Sequence, residues 1–135
     1  MSTTRQKIVA NIVTELQEVT QLKSVTAEEV VITDLDTVPM PCAFVVAGPE
    51  IRLDEGTIGY ETWNWSINVE IWAKTSVEDL LGLIHTKLYE DPLRGGNALS
   101  TIRTGSDIFT IETDKQTNGM MINFLINYRH PWGNP

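Results

Sequence analysis

From Glu61 to Lys74 the chain reads ETWNWSINVEIWAK. Trp63, Trp65, Ile67, Val69 and Ile71 fall on odd positions, and Thr62, Asn64, Ser66, Asn68 and Glu70 on even ones. Successive side chains of an extended backbone point to opposite faces, so this alternation fits a long strand with one apolar and one polar side and fits no helix. The odd side needs a second layer to cover it. The even side should meet water or a partner. Trp72 breaks the alternation and lands on the polar side. Three of the chain's four tryptophans sit in this stretch. Trp63 and Trp65 share their side with aliphatic residues, so they read as core anchors rather than as a platform for sugars, nucleic acid or a cofactor.

The remaining segments supply partners for such a strand. Ile8, Val9, Ile12, Val13, Leu16 and Val19 recur at helical spacing and predict a helix from Thr3 to Leu22, opened by a Thr3/Gln6 capping box. EEVVIT (28–33) reads as a short strand, CAFVVAG (42–48) as a central one. Asp34 and Asp36 read as turn formers rather than an ion site, because no further oxygen-rich spacing surrounds them. PEIRLDEGTIGYE (49–61) reads as a hairpin excursion with arms at Ile51–Leu53 and Thr57–Tyr60. Val77, Leu80, Leu81, Ile84 and Leu88 predict a second helix over Val77–Tyr89, capped by Thr75 or Ser76 and closed by Pro92 and two glycines. Two short strands, LSTIRT and DIFTIET, and a long last strand over Met120–Arg129 complete the order, followed by an irregular tail, HPWGNP. Strands grouped in runs around two helices predict one α+β domain spanning residues 1–135: a largely antiparallel mixed sheet with both helices packed on one face.

Charge and composition narrow the function. With 18 acidic against 10 basic residues the net charge is −8, which argues against a protein whose main task is gripping phosphates and suits a surface that DNA must not stick to. The longest apolar run is too short to cross a bilayer, and the N-terminus lacks an apolar signal core. The expected setting is therefore the inside of a cell, or a particle assembled there. Cys42 is the only cysteine, so no internal disulfide forms, and beside AFVV it reads as a buried structural thiol. His85 and His130 are the only histidines and stand apart in sequence. No HExxH, CxxC, phosphate loop or nucleophile elbow occurs. The chain reads as a non-enzyme with no cofactor and no metal.

The segment order resembles the tail terminator (tail completion) proteins of long-tailed bacteriophages. The resemblance runs over nearly the whole chain. It rests on the helix RQKIVANIVTELQ, on VPMPCAFVVAGPE with proline before a strand and Gly-Pro-Glu after it, on the long strand WNWSINVEIWAK, on SVEDLLGLIHTKLYEDPLRGG, and on TDKQTNGMMINFLINYRH ending in Tyr-Arg. This pattern is shared with neck and minor tail proteins. It implies a non-enzymatic virion protein, assembled in the host cytoplasm, that forms a ring, usually a hexamer. The ring caps the tail tube, stops its polymerisation, docks the head-tail connector, and lets DNA pass through its lumen without specific binding. The family offers no catalytic residues. Candidate contacts with neighbouring subunits or partners are Asn64, Ser66, Asn68 and Trp72 on the polar sheet side, the whole 49–61 excursion with Arg52, Asp54 and Glu55, and Trp132 in the tail. Each also reads as a solvated loop, face or frayed end. The competing readings are another head-tail connector or minor tail protein and, from a different class, a small intracellular enzyme or ligand-binding domain with a concave polar pocket.

Overall fold

The structure is a computed structural model. It describes residues 2–27, 38–53, 58–74, 76–112 and 116–135, with side chains described throughout except at 109–112 and 116. The expected strand at 28–33, the Asp34/Asp36 turn, Asp54, Glu55 and Thr75 lie outside the described residues.

Helix α1 spans Thr4–Gln17. The capping box forms as the sequence predicts: the Gln6 amide donates to Thr3 Oγ1 at 3.1 Å, and the Thr3 amide donates to Gln6 Oε1 at 2.8 Å. The helix ends five residues short of Leu22. The Glu18 and Val19 amides turn back to the carbonyls of Glu15 and Leu16, tightening the last turn at the β-branched Val19-Thr20 pair. Val19 and Leu22 still reach the core from that turn.

Among the described residues five strands form one sheet in the order β1-β2-β3-β5-β4, with β1 at Ser24–Thr26, β2 at Cys42–Leu53, β3 at Tyr60–Ala73, β4 at Ser100–Glu112 and β5 at Gln116–Pro131. Of their pairings, β1 with β2 is parallel and the rest are antiparallel, so the sheet is mixed and largely antiparallel. The long alternating strand lies at its centre as β3. The excursion joins two antiparallel strands, but its arms differ from those expected. The first belongs to β2, which continues through Gly48-Pro49 by shifting register between Ala47 and Glu50. Of the second, among the described residues, only Tyr60 is strand, the start of β3, because Ile58 and Gly59 form a turn. A Cβ at Gly48 would stand 2.8 Å from the Ser66 carbonyl oxygen, so the close approach of β2 to β3 requires glycine there. The two strands expected around Gly105 and Ser106 are one strand, β4. The glycine marks a register shift between Arg103 and Gly105 rather than a turn.

Helix α2 spans Glu78–Tyr89, with the Glu78 amide donating to Ser76 Oγ at 3.3 Å and Glu78 and Asp79 in the first turn, where the helix dipole favours acids. Its far end is closed by Arg94, a fully buried residue with φ 49° whose guanidinium donates to the Leu88 and Asp91 carbonyls. Lys87 ties the helices together, with Nζ 3.7 Å from Glu15, 2.6 Å from Glu18 and 3.3 Å from Glu90.

Ile8, Ile12 and Leu16 of α1 and Leu80, Ile84 and Leu88 of α2 pack with Trp65, Ile67, Val69 and Ile71 of β3 and Met120, Ile122, Phe124, Ile126 and Tyr128 of β5 in one core. Both helices therefore lie on the side that the odd residues of β3 face, and the fold is α+β as expected. Trp72 requires a correction. It is only 3% exposed, and Cys42, Phe44, Val38, Met40 and Val46 cover it in a second apolar cluster on the opposite side of the sheet. The physical reason is register: Cys42 lies opposite Trp72 and Phe44 opposite Glu70, so β2 places its own apolar residues next to the indole.

Candidate interaction surfaces

The side of the sheet turned away from the helices is the broadest candidate surface. Asn64 lies opposite Asn127, and Asn68 opposite Asn123. Asn127 Nδ2 donates to Asn64 Oδ1 at 2.9 Å and approaches the Trp63 carbonyl at 3.3 Å. The asparagines are half-buried and form a cross-strand polar ladder. Leu125 stands between them and Met121 beyond Asn123 on the same side, opposite Ser66 and Glu70, and Ile102 of β4 lies next to Leu125. This side is thus more apolar than the alternation of β3 alone implies. Ile51 and Ile102 on it are 70% and 52% exposed. Among the described residues, only the cluster around Trp72 covers part of it.

A second surface forms where the hairpin of β2 and β3 meets the tail. The Trp132 amide donates to the Gly59 carbonyl at 2.9 Å, which brings the tail against the hairpin turn. Ile58 and Trp132 are 89% and 59% exposed there, and Arg129 lies 4.8 Å from the ring centre of Tyr60. Of the residues singled out from sequence, Asn64 and Asn68 share the open side, Trp132 sits at the hairpin end, and Arg52 is separate. Arg52 lies opposite Trp63, on the helix side, with its guanidinium 3.8 Å from Glu61. Trp72 is sealed by its own chain. Ile51, Ile58 and Tyr60 belong to the excursion that the sequence offers as a contact surface; sequence reading missed Ile102 and Leu125. The available signal was an isolated apolar residue in a polar or charged run, which is too common to single out alone.

The third feature is a groove of about 980 Å³ between α1 and the sheet, lined by Arg5, Val9, Val13, Glu50, Trp63 and His130 among others. Its charges are matched internally. The Arg5 guanidinium lies 4.4 Å from the Trp65 ring centre and 3.5 Å from Glu50. Tyr128 donates its hydroxyl to Glu50 Oε2 at 2.6 Å. Burial, reinforced by that carboxylate, pushes the Tyr128 phenol well above its ordinary range, so it stays protonated. At the groove's end Glu61 lies opposite His130, and Trp63 Nε1 donates to His130 Nε2 at 3.1 Å. Trp63, expected in the core, packs against it with one edge and lines this groove with the other.

The remaining chemical candidates are structural. The Cys42 thiol is fully buried, and burial pushes it up to about 11, far from the thiolate a nucleophile needs. His85 sits at the edge of the core and stacks on Tyr89 at 4.2 Å between ring centres. Among the described residues no group of three or more His, Cys, Asp or Glu is placed to hold a metal ion, and no helix is long and apolar enough to cross a membrane.

No protein-family model and no curated protein matches the chain. Among solved structures, a chain of the "Virion of native gene transfer agent (GTA) particle" aligns at a TM-score of 0.45 and 8% identity, over 95% of this chain and 92% of that one. A likeness of that degree is a loose correspondence of backbone course and carries no functional argument.

Proposed function

We propose that this chain is a structural, non-enzymatic protein of a long-tailed phage-like particle: a tail terminator whose copies form a hexameric ring. The ring caps the tail tube, halts its growth and receives the head-tail connector, with DNA passing through the lumen. The observation that supports this best is the open side of the sheet. It is broad, carries paired asparagines beside Leu125, Met121, Ile102 and Ile51, and has the mixed character of a protein-protein contact rather than a small-molecule pocket. The segment pattern shared with tail terminators points the same way. Asn64, Asn68, Trp132, Arg52 and the excursion residues Asp54 and Glu55 are proposed as contact residues. The furrow between α1 and α2, where Glu18 and Glu90 pair with Lys87 and Glu78 and Asp79 add net negative charge, is proposed to face the lumen, where it would repel DNA.

Electron microscopy of particles made without this protein tests the reading. Overlong, headless tails are expected. Leaking heads would move the protein to head closure, and a strict monomer that binds neither tubes nor connectors would overturn the ring. The double substitution Asp54→Lys, Glu55→Lys is expected to impair assembly more than stability; unchanged infectivity would remove the excursion from the contacts.

The groove favours a second reading, a ligand-binding domain, because polar groups do converge there around Trp63. That reading expects a small molecule to raise the melting temperature of the wild type and to lose this effect in Trp63→Ala, with ring assembly irrelevant to either.

A further inference from the structure

We propose that His130 is a proton-operated latch: neutral, it holds the Trp63 indole across the end of β3 and β5; protonated, it transfers to Glu61 and releases the indole into the groove.

The ring's own contacts dictate this. His130 Nδ1 lies 2.8 Å from the Pro131 carbonyl oxygen, which can only accept, so Nδ1 carries a hydrogen. In the neutral ring Nε2 is then a lone pair, and the Trp63 Nε1–H, 3.1 Å away, donates to it. The same Nε2 is 3.3 Å from Glu61 Oε2, an acceptor that offers a lone pair nothing. A donor and an acceptor thus compete for one nitrogen, and its protonation state decides between them. A proton on Nε2 sets N–H against N–H toward Trp63 and makes a charge-assisted hydrogen bond toward Glu61. The imidazole is buried, so water does not readily take either partner's place. The other charged and titratable groups around it have settled partners. Glu61 is also met by Arg52 of β2 at 3.8 Å; Tyr128, 6.3 Å away between ring centres, is committed to Glu50 of β2; and Arg5 of α1 is held by Glu50 and Trp65. Among these charged groups of the described residues, Glu61 is the one whose relation to His130 changes when a proton arrives, as Trp63 is released. The consequence is a groove wall that gains a cation and a free indole donor when the ring takes up a proton. The device is independent of the ring reading, since it resides within one subunit.

Nitrogen-15 NMR of the whole chain tests it. In the neutral ring the expected His130 tautomer carries its hydrogen on Nδ1, the minor form of a free imidazole side chain. When the ring is protonated by acidification, the Trp63 indole N–H resonance should move in step with the His130 ring protons, while the Trp65 indole, bonded to the Gly48 carbonyl, stays fixed. In His130→Gln, where an amide oxygen can accept permanently, the Trp63 resonance should no longer move. A hydrogen on Nε2 in the neutral ring, a Trp63 resonance that ignores His130 protonation, or an unchanged Trp63 response in His130→Gln would each overturn the latch. The wild-type tautomer decides the matter even where the variant folds poorly.

Discussion

Trp72 separates two accounts of the polar side of the sheet, and replacing it by alanine distinguishes them. If the indole belongs to a cluster sealed by its own chain, Trp72→Ala destabilises the isolated subunit. A buried tryptophan removes roughly 150–250 Å² from water. At about 25 cal/mol per Å² that is an upper bound of about 4–6 kcal/mol. Large-to-small core changes of this kind cost about 3–5 kcal/mol. The lower end is expected here, because the cluster of Cys42, Phe44 and Trp72 is small and separate from the main core, and it can relax around the vacancy. With a urea slope of about 2 kcal/mol per molar, a loss of about 3 kcal/mol lowers the unfolding midpoint by about 1.5 M. Trp132→Ala is the control. That indole is 59% exposed, and its removal should change stability by no more than about 0.5 kcal/mol. A coupling free energy between Trp72→Ala and Phe44→Leu of about 0.5 kcal/mol or more would place the two side chains in one packing unit. A Trp72→Ala variant that unfolds within about 1 kcal/mol of the wild type while losing self-association would refute the sealed cluster, for then the indole serves a partner and not its own sheet.

Three further outcomes follow from the geometry. Gly48→Ala presses a methyl group against the Ser66 carbonyl at 2.8 Å and should cost about 1–3 kcal/mol in chemical denaturation, although alanine is otherwise the milder residue. Cys42 should resist thiol reagents in the folded chain and react on unfolding. Its folded thiol ionises near 11 against an ordinary value of 9.0, so above about pH 9 the unfolded chain releases a proton that the folded chain keeps; the stability contribution is full below that pH and is lost as pH rises toward 11, measurable as a falling melting temperature. Leu125→Arg, at a half-buried position on the open side, should leave the unfolding midpoint nearly unchanged and abolish assembly in sedimentation; intact assembly would remove that side from the contact surfaces.

The elements that were legible in the sequence are those whose side chains repeat a single environment. The odd residues of β3 from Trp63 to Ala73 and the even residues of β5 from Met120 to Tyr128 belong to or pack against the helix-side core, so their period is unbroken there and their strand assignment follows from it. The same holds for Ile8, Ile12 and Leu16. Where environment changes along an element, the pattern misleads. β4 reads as two strands because its register shifts between Arg103 and Gly105, and the bulged glycine looks like a turn. β2 carries its odd residues on the helix side as far as Ala47. After the shift at Gly48-Pro49 its even residues Glu50 and Arg52 take their place, opposite Trp65 and Trp63, so no single alternation runs through it. Trp72 was placed on the correct side of the sheet, but its neighbours Cys42 and Phe44 come from another strand, and only the pairing register brings them together. Arg94 was unreadable for a related reason: an arginine among glycines reads as a solvated loop, whereas here its guanidinium closes the end of α2.

The two outer surfaces of this subunit differ, and the difference bears on how copies would assemble. One is the open side of the sheet with its asparagine ladder; the other is the hairpin end with Ile58, Tyr60 and Trp132. If the open side met its own counterpart in a second copy, the contact would be isologous and would stop at a dimer. If the open side met the hairpin end of the next copy, the contact would be heterologous, and repetition would close a ring or grow a filament. A tail terminator requires the second arrangement with closure. The two substitutions that separate them act on different surfaces: Leu125→Arg on the open side and Trp132→Ala at the hairpin end. In a ring either one alone breaks every contact, because each contact uses both surfaces. In an isologous dimer built on the open side only Leu125→Arg matters. Mixing the two variants sharpens the distinction. Each retains one intact surface, so a ring-forming chain yields a heterodimer that goes no further, and native mass spectrometry of the mixture should show that species in place of both ring and monomer. A mixture that remains monomeric would eliminate the pairing of these two surfaces.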